Sequence, residues 1–224
     1  MLGIFDSGTG GHNALSVLRR YVKNENIILF TDRRNAPYGT KSRREILRIT
    51  KENIKTLKHF GCRRVLVACC TASTLYPFLE EEQRDIATAS LLPTAERVKA
   101  MGAKRVTLVA TNHTVKDGSF IRALPDVALT QISAQPLVKL IDDGACDGRI
   151  SPECRDYLTA LLSKISDSRP EAVVLGCTHF HSLGKTIKRS LGVPVVSSAY
   201  EGAMAFLNNI KDEQTEEAKT FLLS

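Results

Sequence analysis

The chain has 224 residues, 43% hydrophobic and 25% charged, and its 31 basic and 24 acidic side chains give a net charge of +7. This is globular composition with length for one large or two small domains, and it excludes a disordered or fibrous chain. No apolar run approaches the roughly 18 residues of a membrane span. With no Trp and 6% aromatics, the basic excess reads as a solvated surface that steers small anions, not as a stacking platform for nucleic acid.

The chain opens on "MLGIFDSGTGG", a short apolar run entering a glycine-rich turn, without the basic start of a signal peptide. A cytoplasmic location is expected. Strands are predicted over Leu2–Phe5, Ile27–Phe30, Val65–Ala68, Val106–Ala110, Val127–Gln131, Ala172–Gly176 and Val193–Val196, alternating with helical periodicities. That alternation predicts an α/β protein with mostly parallel sheets flanked by helices. Ser42 and Glu45 form an S-x-x-E capping box, followed by an apolar stripe of Ile46, Ile49, Ile54, Leu57 and Phe60. Ser151 before Pro152 reads as a second cap. The helix behind it carries Cys154, Tyr157, Leu158, Leu161, Leu162 and Ile165 on its apolar face, which makes Cys154 a core residue.

The chain also resembles itself. "RRVLVACCTAS" and "PEAVVLGCTHF" each run from a charged pair through a buried strand to a cysteine and hydroxyls. Two similar α/β halves are therefore expected: residues 1–92 joined by 197–224, and residues 93–196, with Pro93 near the crossing. Ligands of open parallel sheets bind beyond the carboxyl ends of the strands. Five polar clusters fall there: "FDSGTGG", "TDRRNAPYGTKS", "ACCTAS", "ATNHTVKDG" and "LGCTHF".

The six cysteines are Cys62, Cys69, Cys70, Cys146, Cys154 and Cys177. Their irregular spacing in a reducing compartment argues against structural disulfides, and without a C-x-x-C pair no structural zinc site is expected. A cysteine that leaves a strand and opens a helix sits where main-chain N–H groups favour its thiolate. Cys69 and Cys177 share that setting, and His179 is a proton partner two residues from Cys177. The glycines of "DSGTGG" match neither nucleotide-binding spacing. Asp6 is either an N-cap or a carboxylate aimed into a cleft. His181 has a weaker claim than His179.

In order and spacing, "IFDSGTGG", "APYGTKS", "ACCTAS", "ATNHTVKDG" and "LGCTH" resemble the motifs of cofactor-independent glutamate racemases, within the aspartate/glutamate racemase superfamily. The match spans residues 3 to 205. The resemblance implies two pseudo-symmetric α/β domains facing each other across a cleft, with one acid/base cysteine on each side of a substrate α-carbon. Carried onto this chain, the pair is Cys69, assisted by Asp6, and Cys177, assisted by His179, with Asp142 oriented toward that histidine. Substrate contacts are expected from Ser7, Tyr38, Gly39, Cys70, Thr71, Thr111, Thr114 and Thr178. No cofactor and no metal are needed. The partner is a small-molecule amino acid, glutamate first, and the assembly is expected to be a homodimer. Cys70 stands where the family has an asparagine, and His181 where it has a proline. That first departure leaves room for aspartate or another acidic amino acid, or for a binding or redox-sensing protein on the racemase scaffold.

Overall fold

The computed structural model describes residues 1–144 and 151–222. In chain order the strands are β1 (Leu2–Asp6), β2 (Ile27–Thr31), β3 (Arg64–Val67), β4 (Ala87–Ala89), β5 (Arg105–Ala110), β6 (Ala128–Ser133), β7 (Ala172–Gly176) and β8 (Val195–Ser197). The helices of the first half are α1 (Gly11–Leu18), α2 (Arg43–His59), α3 (Cys70–Ser73), α4 (Glu81–Ile86) and α5 (Leu91–Ala100). Those that follow are α6 (Asn112–Asp117), α7 (Ser119–Ala123), α8 (Gln135–Asp142), α9 (Pro152–Asp167), α10 (Gly184–Leu191) and α11 (Ser198–Leu222).

Two four-stranded, all-parallel sheets result, ordered β2-β1-β3-β4 and β6-β5-β7-β8. Each half uses the same order, first strand inside, second outside. The chain therefore reverses direction across the sheet between β1 and β3, and again between β5 and β7. Loops leaving adjacent strands at such a point diverge and open a crevice. Residues that follow β1, β3, β5 and β7 are thereby brought to the two crevices.

Both faces of each sheet are covered, which is why the central strands read as unbroken apolar runs. In β3, Val65 and Val67 pack with Ile46, Ile49, Ile54 and Leu57 of α2. Leu66 and the following Ala68 point the other way, to Ala14, Val17 and Leu18 of α1 and Ala203, Phe206, Leu207 and Ile210 of α11. In the second sheet, Val109, Val173 and Leu175 meet α8 and α9, while Leu108, Ala110 and Val174 meet Leu91, Ala95 and Val98 of α5.

Both predicted caps form: Ser42 accepts from the Glu45 N–H at 3.3 Å and Ser151 from the Cys154 N–H at 3.1 Å. Two expectations need correction, and one strand was missed. Phe60 lies one residue beyond α2 and is exposed, so it is not part of the buried stripe. The strand β4 was not predicted, since "ATA" is too short and too alanine-rich to read as one. Pro93 lies inside the first turn of α5, where a missing N–H costs nothing. Cys154 is a core residue, but it is disulfide-bonded, against the expectation from spacing. Among the described residues no helix is long and apolar enough to cross a membrane.

Candidate active site

Both crevices open onto one cavity. It is lined by Ser7 and Gly8 after β1, by Ala36, Pro37, Tyr38 and Gly39 after β2, and by Cys69, Cys70 and Thr71 after β3. The second half supplies Thr111 after β5, Gln135, Val138 and Asp142 of α8, and Cys177, Thr178 and His179 after β7. Of the thirteen residues expected here, Asp6 and Thr114 do not line the cavity. Asp6 is buried behind it, and Thr114 is buried beneath Thr71.

The two thiols occupy different surroundings. Cys69 follows β3 and is 4% exposed, with its Sγ 3.2 Å from the Ser7 hydroxyl. Burial first, and the neighbouring Asp6 carboxylate second, push its pKa up to about 12. The four-residue helix that it caps does not offset this, so the expected thiolate-favouring setting is not realised there. Asp6 is near Cys69, but no hydrogen bond joins the two. Its carboxylate accepts from the Gly8 N–H at 2.9 Å and from the Thr178 hydroxyl at 3.0 Å. It does not cap α1, whose N-cap is Gly10. Burial raises the Asp6 pKa, while His179 and the two donors pull against that.

Cys177 lies 3.5 Å from His179 Nδ1, and His179 Nε2 lies 3.1 Å from Asp142 Oδ1. Burial disfavours a charged His179, but Asp142, Cys177 and Asp6 outweigh it and raise its pKa to about 11. The Gly10 N–H also points at Nε2, at 3.3 Å. The shorter contact to the half-exposed Asp142 is charge-assisted and fixes Nε2–H as a donor. Asp142 is also held by the Thr9 hydroxyl, and its pKa is lowered because His179 and Thr9 together outweigh its burial. The result is an imidazolium whose second N–H faces the Cys177 sulfur. His181 takes no part in it: its Nδ1 is 2.7 Å from Ser197 Oγ.

Hydrogen bonds close the cavity. Thr71 Oγ1 sits 2.9 Å from Thr111 Oγ1, and Asn13 donates to the Thr178 carbonyl at 2.8 Å. Two glycines permit the approach. A Cβ at Gly10 would lie 2.2 Å from Thr178 Oγ1, and one at Gly39 would lie 2.0 Å from Gln135 Oε1. The cavity volume is about 30 Å³, against roughly 10–15 Å³ for a single water.

Tyr38 lines the cavity with its ring and main chain. Its hydroxyl donates to Asp32 at 2.6 Å, and Asn53 donates to both. The phenol is therefore committed away from any ligand. Cys70 touches the cavity but is also embedded in an apolar cluster with Leu91, Ala95 and Val106. Burial pushes its thiol well above the usual range. Gln135 and Val138 were missed because β6 was expected to end at Gln131. It runs to Ser133, so "AQPL" is a strand-end segment like the other five. Among the described residues, no group of three or more His, Cys, Asp or Glu side chains is placed to hold a metal ion.

A family model described as Asp/Glu/Hydantoin racemase matches residues 14–205. The chain belongs to this family. As a racemase it is an isomerase. The glutamate racemase of Aquifex aeolicus is 32% identical over 220 residues, covering 95% of this chain and 84% of that protein. The racemase fold matches the crystal structure of Thermus thermophilus glutamate racemase in complex with beta-chloro-D-alanine at a TM-score of 0.80 and 28% identity, covering 95% of this chain and 81% of that one. The Francisella tularensis glutamate racemase structure in complex with D-glutamate matches in fold at a TM-score of 0.82 and 23% identity, covering 95% and 81%.

Proposed function

We propose that the protein interconverts L- and D-glutamate without a cofactor, using Cys69 and Cys177 as acid and base on opposite faces of the α-carbon. The observation that carries this reading is the pair of buried thiols at equivalent strand ends of two like sheets, facing one cavity with unlike proton partners.

The α-proton beside a carboxylate is very weakly acidic, so its removal needs preorganised donors in a dry site. One base on one face cannot readily invert the centre; two groups can. In one direction the Cys177 thiolate, paired with the His179 imidazolium, takes the α-proton and becomes a thiol. The Cys69 thiol gives its proton to the opposite face and becomes a thiolate, which Ser7 contacts. In the reverse direction the roles exchange. Charge on Cys177 raises the Cys69 pKa, which favours one ionised thiol at a time. Thr71 and Thr111 hydroxyls, with main-chain N–H groups of the Tyr38–Gly39 turn, bind the carboxylates, while the Thr178 hydroxyl, whose proton goes to Asp6, accepts from the α-ammonium. Asp6 acts on Cys69 through charge and on the cleft through Thr178; Asp142 orients His179.

The two domains of this reading are residues 1–92, joined by 197–224, and residues 93–196. The cellular role is supply of D-glutamate for peptidoglycan in the cytoplasm, with the chain acting as a homodimer. A second reading, aspartate or another acidic amino acid as substrate, is favoured by Cys70, a poor hydrogen-bonding group at the cavity wall. Incubation with L- and D-glutamate in deuterated water is expected to racemise both with α-deuterium uptake. Turnover of aspartate alone would establish the second reading. No exchange with any acidic amino acid would remove both and leave the binding role.

A further inference from the structure

His113, the second residue of α6, is 9% exposed and stands outside the cavity lining. Its ring reaches from the second sheet's side into the first. Nε2 lies 3.3 Å from Thr74 Oγ1, just past the end of α3. The Thr74 hydroxyl gives its own proton to the Thr71 carbonyl at 2.8 Å. That leaves Oγ1 as an acceptor and makes Nε2–H the donor.

One side chain of the second half thus braces the end of α3, the helix that carries Cys70 and Thr71 at the cavity. Thr71 is consequently fixed from two directions. Its hydroxyl meets Thr111 and Thr114, and its carbonyl is held by Thr74, which His113 holds. All of these partners except Thr74 were expected from sequence to serve the ligand. An apolar ring in place of His113 would fill the space but leave Thr74 Oγ1 without this donor. Asp117 and Arg43 are the charges that face the ring; burial outweighs Asp117, Arg43 acts with burial, and the imidazole is neutral.

We propose that His113 is a positioning residue that sets Thr71 at the cavity through Thr74, without touching the substrate. Only its kinetic readout rests on the proposed racemase function. The test compares His113→Phe, which keeps a ring and loses the hydrogen bond, with His113→Gln, which keeps a donor near Nε2. Amide hydrogen exchange read by mass spectrometry is expected to quicken over residues 70–75 in H113F. It should stay unchanged in β5 and β7, and H113Q should follow the parent protein. With glutamate, the KM of H113F should rise about three- to tenfold, the span of one lost hydrogen bond, with kcat within about twofold. H113Q should recover it.

Unchanged exchange over residues 70–75, or a Gln variant indistinguishable from Phe, would overturn the proposal, since volume alone would then explain the residue. If the parent protein turns over no acidic amino acid, the racemase reading fails while the exchange data still decide this one.

Discussion

The Cys69 and Cys177 sides of the cavity begin from the same plan: a parallel strand ends, a cysteine follows, and a short helical turn begins. They end in opposite electrostatic states. Around Cys177, an imidazolium braced by Asp142 faces the sulfur. Around Cys69 there is only a serine hydroxyl at 3.2 Å, and a buried carboxylate behind it opposes ionisation. The difference teaches that the strand-end position does not set the electrostatic surroundings of a thiol. The residues behind each sulfur set them: His179 and Asp142 on one side, Ser7 and Asp6 on the other.

The sharpest way to break this comparison is to remove either sulfur. Cys69→Ala and Cys177→Ala should each lower racemisation by about 10³- to 10⁴-fold, since inversion needs both groups. Circular dichroism of the product checks this, and substantial residual racemisation in either variant would refute a two-base scheme. Next in size is His179→Asn, expected to cost about 10²-fold. It should also enlarge the α-deuterium isotope effect for the enantiomer that Cys177 deprotonates more than for its mirror image. Equal changes for both enantiomers would mean that the histidine does not belong to one side.

Asp142→Asn is expected to cost about tenfold and to move the alkaline limb of kcat/KM to lower pH, because His179 loses the partner that holds it protonated. A limb that stays in place would detach Asp142 from the pair. Folding stability carries the same signature more weakly. The folded pKa of His179, about 11, stands above its ordinary 6.5. Its stabilising contribution is therefore complete below about pH 6.5 and is lost as pH rises through about 11. Thermal melts of the parent protein should decline more steeply than those of H179N between about pH 7 and 10. The smallest effect is expected at Cys70. Cys70→Ser should lower the melting temperature by about 2–4 °C, as for about 1 kcal/mol in a chain of this size, because a hydroxyl enters the cluster around Leu91 and Ala95.

Much of this was legible in the sequence because buried parallel strands advertise themselves as apolar runs and their ends as abrupt changes to polar residues. Cys69, Cys177 and His179 were picked out that way, while Thr71 came with the family resemblance; all four line the one cavity. The misses share a cause, which is that local pattern does not report what packs from a distance. "ATA" is a strand only because β3 lies beside it. Gln135 joined the site because Gly39, 96 positions away, leaves room for its amide. Tyr38 was expected to contact the substrate, and nothing local told that its hydroxyl is taken by Asp32 and Asn53, adjacent in space. The disulfide at Cys154 gave no local sign at all.

In the proposed reaction the tightness of the cavity, held by Gly10 and Gly39 at the approach of the two sheets, sets two clocks. One is the exchange of protons between each thiol and the α-carbon. The other is the proposed parting of Thr71 from Thr111 and of Asn13 from Thr178 as ligand arrives and departs. If the second clock is the slower, kcat should fall as glycerol or sucrose thickens the solvent, and speeding the chemistry would leave turnover unchanged.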